Sequence, residues 1–303
     1  MAVLNSVHHG CTESRVDLQA IRTTFETGKE FIVEWGNDQP ARVQQAMNDL
    51  NTYLSPFDPA LSYEGTDQKV AYRKSCWFAS EGIARPFLDT EQAIALFDGD
   101  LRDGLSGLRA LEDPRVRASM DYLKSILDSA LVTTSYAVGI DEDLIQRCTV
   151  RYRVIQYTPH AGHPGGIGLH PDGNLLSALI TIGDGLRVYD LDGTIRAPSG
   201  VSGTIMMGGS TLYRWSRGKY LPTFHDVDIG GDQVKVSIVA FFNFPDLVTI
   251  PYSLSPGDEQ TAGFFHDIKW IKEDDKLPHG QLAPLWDTII AQHKLVLPPV
   301  VRK

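Results

Sequence analysis

Cysteine is scarce: Cys11, Cys76 and Cys148 are the three in 303 residues, odd in number and far apart. That excludes a disulfide framework and predicts a reducing, cytoplasmic setting. No Cys-x-x-Cys occurs, which removes the common structural zinc sites. Runs of basic residues are missing too. With 28 Lys and Arg against 38 Asp and Glu, the formal charge is −10. That is the wrong sign for a chain that neutralises phosphates, so no nucleic-acid partner is expected. No stretch approaches the ~18 uninterrupted apolar residues of a membrane span, so no membrane partner is expected either. The N-terminus has no basic region followed by an apolar run, and no signal peptide is expected. Repeats and low-complexity blocks are absent as well.

What is present is enough apolar material, 42% of the residues, for a sizeable core. The first half reads as mostly helical. Helices are predicted over 15–28, from about Asp38 with Pro40 in the first turn, and after Asp113-Pro114, where a good N-cap precedes proline. In that third helix Met120, Leu123, Ile126, Leu127, Ala130 and Leu131 recur at helical spacing, and Gly139 is a natural stop. A short strand is predicted at Phe31–Trp35, a loop-rich stretch over 56–88, and a short helix over Asp141–Arg147.

From Cys148 the texture changes. Thr149–Tyr157, Leu175–Ile182, Leu186–Tyr189, Gly203–Met207, Thr211–Trp215 and Val234–Phe244 read as strands. Glycine-rich turns at Gly165-Gly166, Gly183-Asp184-Gly185, Gly208-Gly209 and Gly230-Gly231 separate them, and Asp192-Gly193 suits a hairpin. Many short strands between turns argue for a β sandwich or barrel. One last helix is predicted over Pro284–His293. The three stretches 1–147, 148–250 and 251–303 are expected to form one compact unit.

Nine histidines are available as ligands. His170 and Asp172 share side-chain parity at what reads as a strand start, so both can point one way. His225 follows an aromatic-rich segment and precedes Asp226 and Asp228, either of which is placed to orient its free ring nitrogen. Two imidazoles and one carboxylate suit a mononuclear non-haem Fe(II) centre with coordination positions left open. His-x-Asp alone is a weak signal, since about one is expected by chance in such a chain. His160 and His163 read as solvated loop residues, and His8-His9, His266, His279 and His293 as surface ones.

The ordered context strengthens the signal. His170-Pro171-Asp172 is followed some fifty-odd residues later by His225, and Lys235-Val236-Ser237 begins ten residues beyond that. Gly185-Leu186-Arg187-Val188, Ser216-Arg217-Gly218-Lys219-Tyr220 and Ala137-Val138-Gly139-Ile140-Asp141 add to it. Together this region resembles the isopenicillin N synthase-like branch of the Fe(II)/2-oxoglutarate-dependent oxygenases, with their His-x-Asp, distal His and Arg-x-Ser. The resemblance implies a mainly β core with surrounding helices, an α+β double-stranded β-helix (jelly roll). It also implies Fe(II) held by His170, Asp172 and His225, with 2-oxoglutarate and O2 as co-substrates. In that family decarboxylation to succinate and CO2 yields an Fe(IV)-oxo that abstracts hydrogen from a small organic substrate. The outcome is hydroxylation, desaturation or ring formation, often in specialised metabolism.

Two positions depart from the family. The co-substrate arginine is Lys235 here, which keeps the charge and loses the bidentate fork. A tyrosine that often contacts 2-oxoglutarate is replaced by Thr158. The segment after Val234 is apolar at both parities, which predicts a strand buried on both sides. Period two then places Lys235, Ser237, Val239 and Phe241 on one face. A lysine at a strand's first turn ordinarily snorkels to water. The family position instead implies that Lys235 pairs the distal carboxylate of 2-oxoglutarate and that Ser237 donates to it. Tyr213 and Trp215 stand as substrate candidates, with core packing weighted equally. Two alternatives remain at this stage: a non-haem iron oxidase that uses no 2-oxoglutarate, and a jelly-roll binding protein without catalysis.

Overall fold

The computed structural model describes residues 2–4, 17–54, 77–80, 83–88, 91–100, 104–107, 113–157, 165–198, 203–229, 235–251 and 259–262. The first half contributes β1 (Ala2–Leu4), α1 (Leu18–Glu26), β2 (Phe31–Glu34), α2 (Gln39–Leu54), β3 (Trp77–Ser80), β4 (Ile83–Leu88), β5 (Glu91–Asp100), β6 (Gly104–Gly107), α3 (Pro114–Val138) and α4 (Glu142–Arg147). The second half contributes β7 (Thr149–Tyr157), β8 (Gly165–His170), β9 (Leu176–Ile182), β10 (Leu186–Tyr189), β11 (Ile195–Arg196), β12 (Gly203–Gly208), α5 (Ser210–Trp215), β13 (Phe224–Ile229), β14 (Lys235–Asn243), β15 (Thr249–Pro251) and β16 (Glu259–Thr261).

Helix ends follow the side chains that cap them. Asp17 accepts from the backbone N–H groups of Gln19 and Ala20 at the start of α1. Asp113 does the same for Arg115 and Val116 in α3, a contribution of about 1 kcal/mol for such a cap. Gly139 ends α3 at φ 89°, a left-handed conformation that costs glycine little. The apolar stripe of α3 is buried against α1, α2 and the sheet, with Ile126 at its margin.

Two sheets face each other. The larger has the order β1-β2-β12-β9-β14-β7-β5-β6, and the smaller β11-β10-β13-β8. From β8 onward the chain alternates between them: β8 small, β9 large, β10 and β11 small, β12 large, β13 small, β14 large. That alternation is the winding of a double-stranded β-helix. Every pairing in these two sheets is antiparallel except β1 with β2.

The large sheet is buried on both faces, which explains the two-sided apolar character of β14. Val236, Ile238, Ala240 and Phe242 join the helices in one core cluster. Val239, with Phe241 against it, joins Ile32, Ile155, Tyr157, Leu179, Leu186, Val188, Ile205, Met207 and Val227 in a second, between the sheets. This inner cluster lies in the space between the two sheets, the interior chamber of the jelly roll.

Several local expectations change. Residues 77–107 hold four strands, two of them within the stretch read as loop; β4 contains Pro86, and β5 is rich in Glu, Gln, Ala and Asp, which score poorly for strand until a partner such as β7 supplies the context. Gly165-Gly166 is not a turn but the start of β8, paired with β13. Thr211–Trp215 is not a strand but α5: tertiary bonds to the preceding loop override the strand propensity of Thr, Tyr and Trp. The Asp192-Gly193 hairpin is present, with Gly193 at φ 84° and Asp190 N–H donating to Thr194 O at 2.8 Å. The helix predicted over 284–293, the turn at Gly230-Gly231, Thr158, and His8, His9, His160, His163, His266, His279 and His293 lie outside the described residues.

Candidate metal centre

His170 is the last residue of β8, and its Cα partner on β13 is His225. The strand therefore ends rather than starts at His170. Asp172 lies beyond it in the turn, so strand parity is not what aligns the pair. Cross-strand pairing instead sets the two rings 4.5 Å apart between centroids, and the turn after β8 folds Asp172 back onto them. His170 Nε2 is 3.7 Å from Asp172 Oδ1, and His225 Nε2 is 4.0 Å from Asp172 Oδ2. One ligand atom from each residue lies within 4.8 Å of the others. His225 and Asp172 are buried and His170 is half-exposed, so the centre opens on the His170 side.

Each ligand is aimed by a neighbour. Thr223 O accepts from His225 Nδ1–H at 3.0 Å, which leaves the Nε2 lone pair facing Asp172. The expectation that Asp226 or Asp228 would do this is wrong, because successive strand residues face opposite ways. His225 and Val227 face the chamber, while Asp226 and Asp228 face out. There Asp226 accepts from Arg187 Nε and Nη2 at 2.7 Å each and from Tyr189 O–H at 2.6 Å, and Asp228 from Arg187 Nη1 at 2.8 Å. Arg187, the odd residue in the family-like Gly-Leu-x-Val, thus clamps β10 to β13 behind the centre. The Asp226 carboxylate raises the pKa of Arg187, and burial raises that of Tyr189.

Asp172 is aimed by residues that motif reading did not single out. Ser177 Oγ donates to Asp172 Oδ2 at 2.5 Å and accepts from Asn174 Nδ2 at 3.0 Å. The turn itself rests on the start of α5: Ser210 N–H donates to Asp172 O at 2.8 Å and Thr211 Oγ1 to Gly173 O at 2.8 Å. Position 209 must be glycine, since a Cβ there would lie 1.9 Å from Asn174 O. Ser177→Ala is expected to weaken metal binding by about ten- to a hundredfold, as loss of groups behind ligands does, measured by equilibrium dialysis.

Lys235 and Ser237 both face the chamber, as period two requires. Lys235 is 1% exposed, so it does not snorkel to water. Its Nζ donates to Gly183 O at 3.2 Å, and burial pushes the ammonium down to about 8, against the pull of Asp184. Ser237 and Thr181 hydroxyls share a hydrogen bond of 3.0 Å. Tyr157, directly opposite Lys235, also belongs to the inner cluster. A cation and two hydroxyls therefore form a polar corner in an apolar chamber. Tyr213 is fully buried, and Trp215 packs on Phe244 at 5.8 Å in the helix-side core, which gives Trp215 the packing role.

The donor set fits an Fe(II) ion: two imidazoles and a carboxylate converge on one point, a three-ligand set that leaves further coordination positions for other ligands. No family profile matches the sequence, and no curated protein does. Solved structures do match. A full-length Neurospora crassa protein, crystallised with alpha-KG, is 14% identical over 88% of this chain and 95% of its own, with a TM-score of 0.63. The fold is that of the 2-oxoglutarate/Fe(II) oxygenases. JOX2, in complex with 2OG, Fe and JA, is 17% identical over 88% of this chain and 84% of its own, at a TM-score of 0.63. The dioxygenase for auxin oxidation 1 of Arabidopsis thaliana, bound to 2-oxoglutarate, is 15% identical over 80% and 92%, at 0.52. The Neurospora protein has also been crystallised with alpha-KG and thymine together. This chain carries the His-x-Asp and distal His within that fold. Among the described residues no helix is long and apolar enough to cross a membrane.

Proposed function

We propose that the protein is an Fe(II)- and 2-oxoglutarate-dependent oxygenase of a small organic molecule, hydroxylating it, desaturating it or closing a ring. The observation that carries this is a convergent His-Asp-His triad at the small sheet with a buried polar corner of Lys235, Ser237 and Thr181 on the facing large sheet. His170, Asp172 and His225 hold the metal. When bound, Fe(II) supplies the redox chemistry that couples 2-oxoglutarate and O2 to substrate oxidation.

The chain's own residues do the rest. Lys235 offers an ammonium to the distal carboxylate of 2-oxoglutarate, and Ser237 donates a hydrogen bond to it. Tyr157 takes the place that position 158 has in the family, since it faces the chamber opposite Lys235. The apolar walls at Ile155, Leu179, Val188 and Val227 exclude water, which strengthens these contacts. The thymine and JA held by two structures of the same fold support a small-molecule substrate. Stretches 1–147, 148–250 and 251–303 work as one unit, a reading supported by β2 and β5 pairing into the core sheet. A reducing, cytoplasmic setting agrees with the buried thiol of Cys148, which burial pushes up to about 12.

Aerobic incubation with Fe(II), 2-oxoglutarate and a metabolite library is the test. Succinate release that rises with one substrate class is the expected result. Substrate oxidation without succinate would establish instead the iron oxidase that uses no 2-oxoglutarate, and no turnover with any metal-loaded sample would favour a binding protein.

A further inference from the structure

Asp172 and His225 stand on different segments, yet one short stretch of chain, 208–211, holds both. Toward His225 it acts through Thr223, which is 0% exposed. The Thr223 N–H donates to Gly208 O at 2.9 Å, and the Thr223 hydroxyl accepts from Gly208 N–H at 3.1 Å. Thr223 O is in turn the atom that accepts from His225 Nδ1–H. Toward Asp172 the stretch acts directly. Gly209 N–H donates to Leu175 O at 3.0 Å, Ser210 N–H to Asp172 O at 2.8 Å and Thr211 N–H to Asn174 O at 3.2 Å. Thr211 Oγ1 donates to Gly173 O at 2.8 Å. Each carbonyl from Asp172 to Leu175 is thus bound by the consecutive residues Gly209, Ser210 and Thr211.

Strand pairing does not fix the two ligands by itself. β13 meets β8 at His225 and His170, but the register slips between His225 and Val227, and such an irregularity re-aims the side chains beside it. Asp172 lies past the end of β8 altogether. The stretch that ties them has little slack. A Cβ at Gly208 would lie 3.2 Å from Leu221 O and from Phe25 Cδ1, and one at Gly209 would lie 1.9 Å from Asn174 O. In this series of contacts the Thr223 hydroxyl can be removed without a change of shape, since valine has the same branching. Valine would leave the buried Gly208 N–H without that acceptor, a loss that the backbone around it must absorb by moving.

We infer that Thr223 is a positioning residue for the metal centre. Through Gly208 it sets the His225 imidazole against the Asp172 carboxylate, so that the two ligands shift together rather than separately. This inference rests on the metal site of the oxygenase proposed above.

The test uses the full chain under anaerobic conditions, with Co(II) and Zn(II) as probes. Co(II) affinity is read by equilibrium dialysis and its coordination geometry by visible absorption. Zn(II) is diamagnetic, so the His225 Nδ1–H can be followed by NMR. Thr223→Val is expected to bind Co(II) about ten- to a hundredfold more weakly than wild type, as loss of groups behind ligands does, and with a changed absorption spectrum. Thr223→Ser keeps the hydroxyl and is expected to restore both. Thr211→Val cuts the tie at its other end and is expected to shift the His225 Nδ1–H resonance, although the bond it loses is to Gly173. A folded Thr223→Val with wild-type affinity would overturn the inference. Weaker binding with an unchanged spectrum counts against it too, since plain destabilisation does that. Failure of serine to rescue, or a His225 resonance unmoved in Thr211→Val, would likewise overturn it. If Thr223→Val does not fold, Thr211→Val decides by the same resonance. A wild type that binds neither ion strikes the oxygenase reading and this inference with it. A wild type that binds Co(II) beside indifferent variants strikes this inference alone.

Discussion

His225→Ala is expected to lose bound iron and all oxidation activity while remaining folded. The reason is geometric. The imidazole contributes one of three ligand atoms that lie within 4.8 Å of each other, and the other two cannot close a facial set alone. Its further hydrogen bond is to Thr223 O, two residues away in the chain, so its removal unties no distant element. The buried Val227 and Phe224 and the Arg187 clamp on Asp226 keep β13 in place. Iron content after anaerobic reconstitution, succinate release and a thermal melt together check this. Full iron content with full activity in the variant would show that the triad is assigned wrongly.

Lys235→Ala is expected to raise the Michaelis constant for 2-oxoglutarate by about ten- to a hundredfold, the worth of a hydrogen bond to a charged group, roughly 1.5–3 kcal/mol. Iron binding should change far less, because the lysine belongs to another part of the chamber. Lys235→Arg keeps the charge but must fit a larger head group in a site 1% exposed, so it should fall between the two. Burial also makes the lysine titrate near 8 rather than 10.5, with Asp184 the charge opposing that shift and Gly183 O, Thr181, Ser237 and Tyr157 as uncharged neighbours. The ammonium is present below about 8 and lost above it. Affinity for 2-oxoglutarate should therefore decline as pH rises past that point and level off near the ten- to hundredfold loss expected for Lys235→Ala. Lys235→Arg should flatten the decline. Folding stability moves the other way. The folded pKa is depressed, so between about 8 and 10.5 the unfolded chain holds a proton that the folded one has released. Stability contributed by this group rises with pH across that window. An unchanged Michaelis constant in Lys235→Ala would remove the pairing and point to an oxidase that works without 2-oxoglutarate.

The triad was legible because its chemistry demands three residue types in a fixed order, and the strands β7, β10 and β14 because β-branched and aromatic residues mark them. Their supports were not. Ser177 and Asn174 aim Asp172 through a turn whose shape depends on Gly209 and α5, which are distant in sequence. Thr223 orients His225 by a carbonyl, a group every residue has. Asp226 and Asp228 are close to His225 in sequence, but nothing in the composition of 224–229 marks a strand, and alternation along β13 sends both outward. That Tyr157 stands opposite Lys235 follows from the pairing of β7 with β14, which the family motif centred on position 158 does not show. Residues 77–107 are strands through their partners rather than their composition.

If one chamber binds Fe(II) through His170, Asp172 and His225 and then 2-oxoglutarate through Lys235, the two ligands must bind in that order and depend on those residues. Anaerobic calorimetric titration of 2-oxoglutarate into the chain, with and without Fe(II), tests this most directly. One 2-oxoglutarate per chain is expected, tightly bound only when the metal is present, lost in His225→Ala and weakened in Lys235→Ala. Binding that ignores the metal and both substitutions, or no binding to the metal-loaded wild type, would contradict the account.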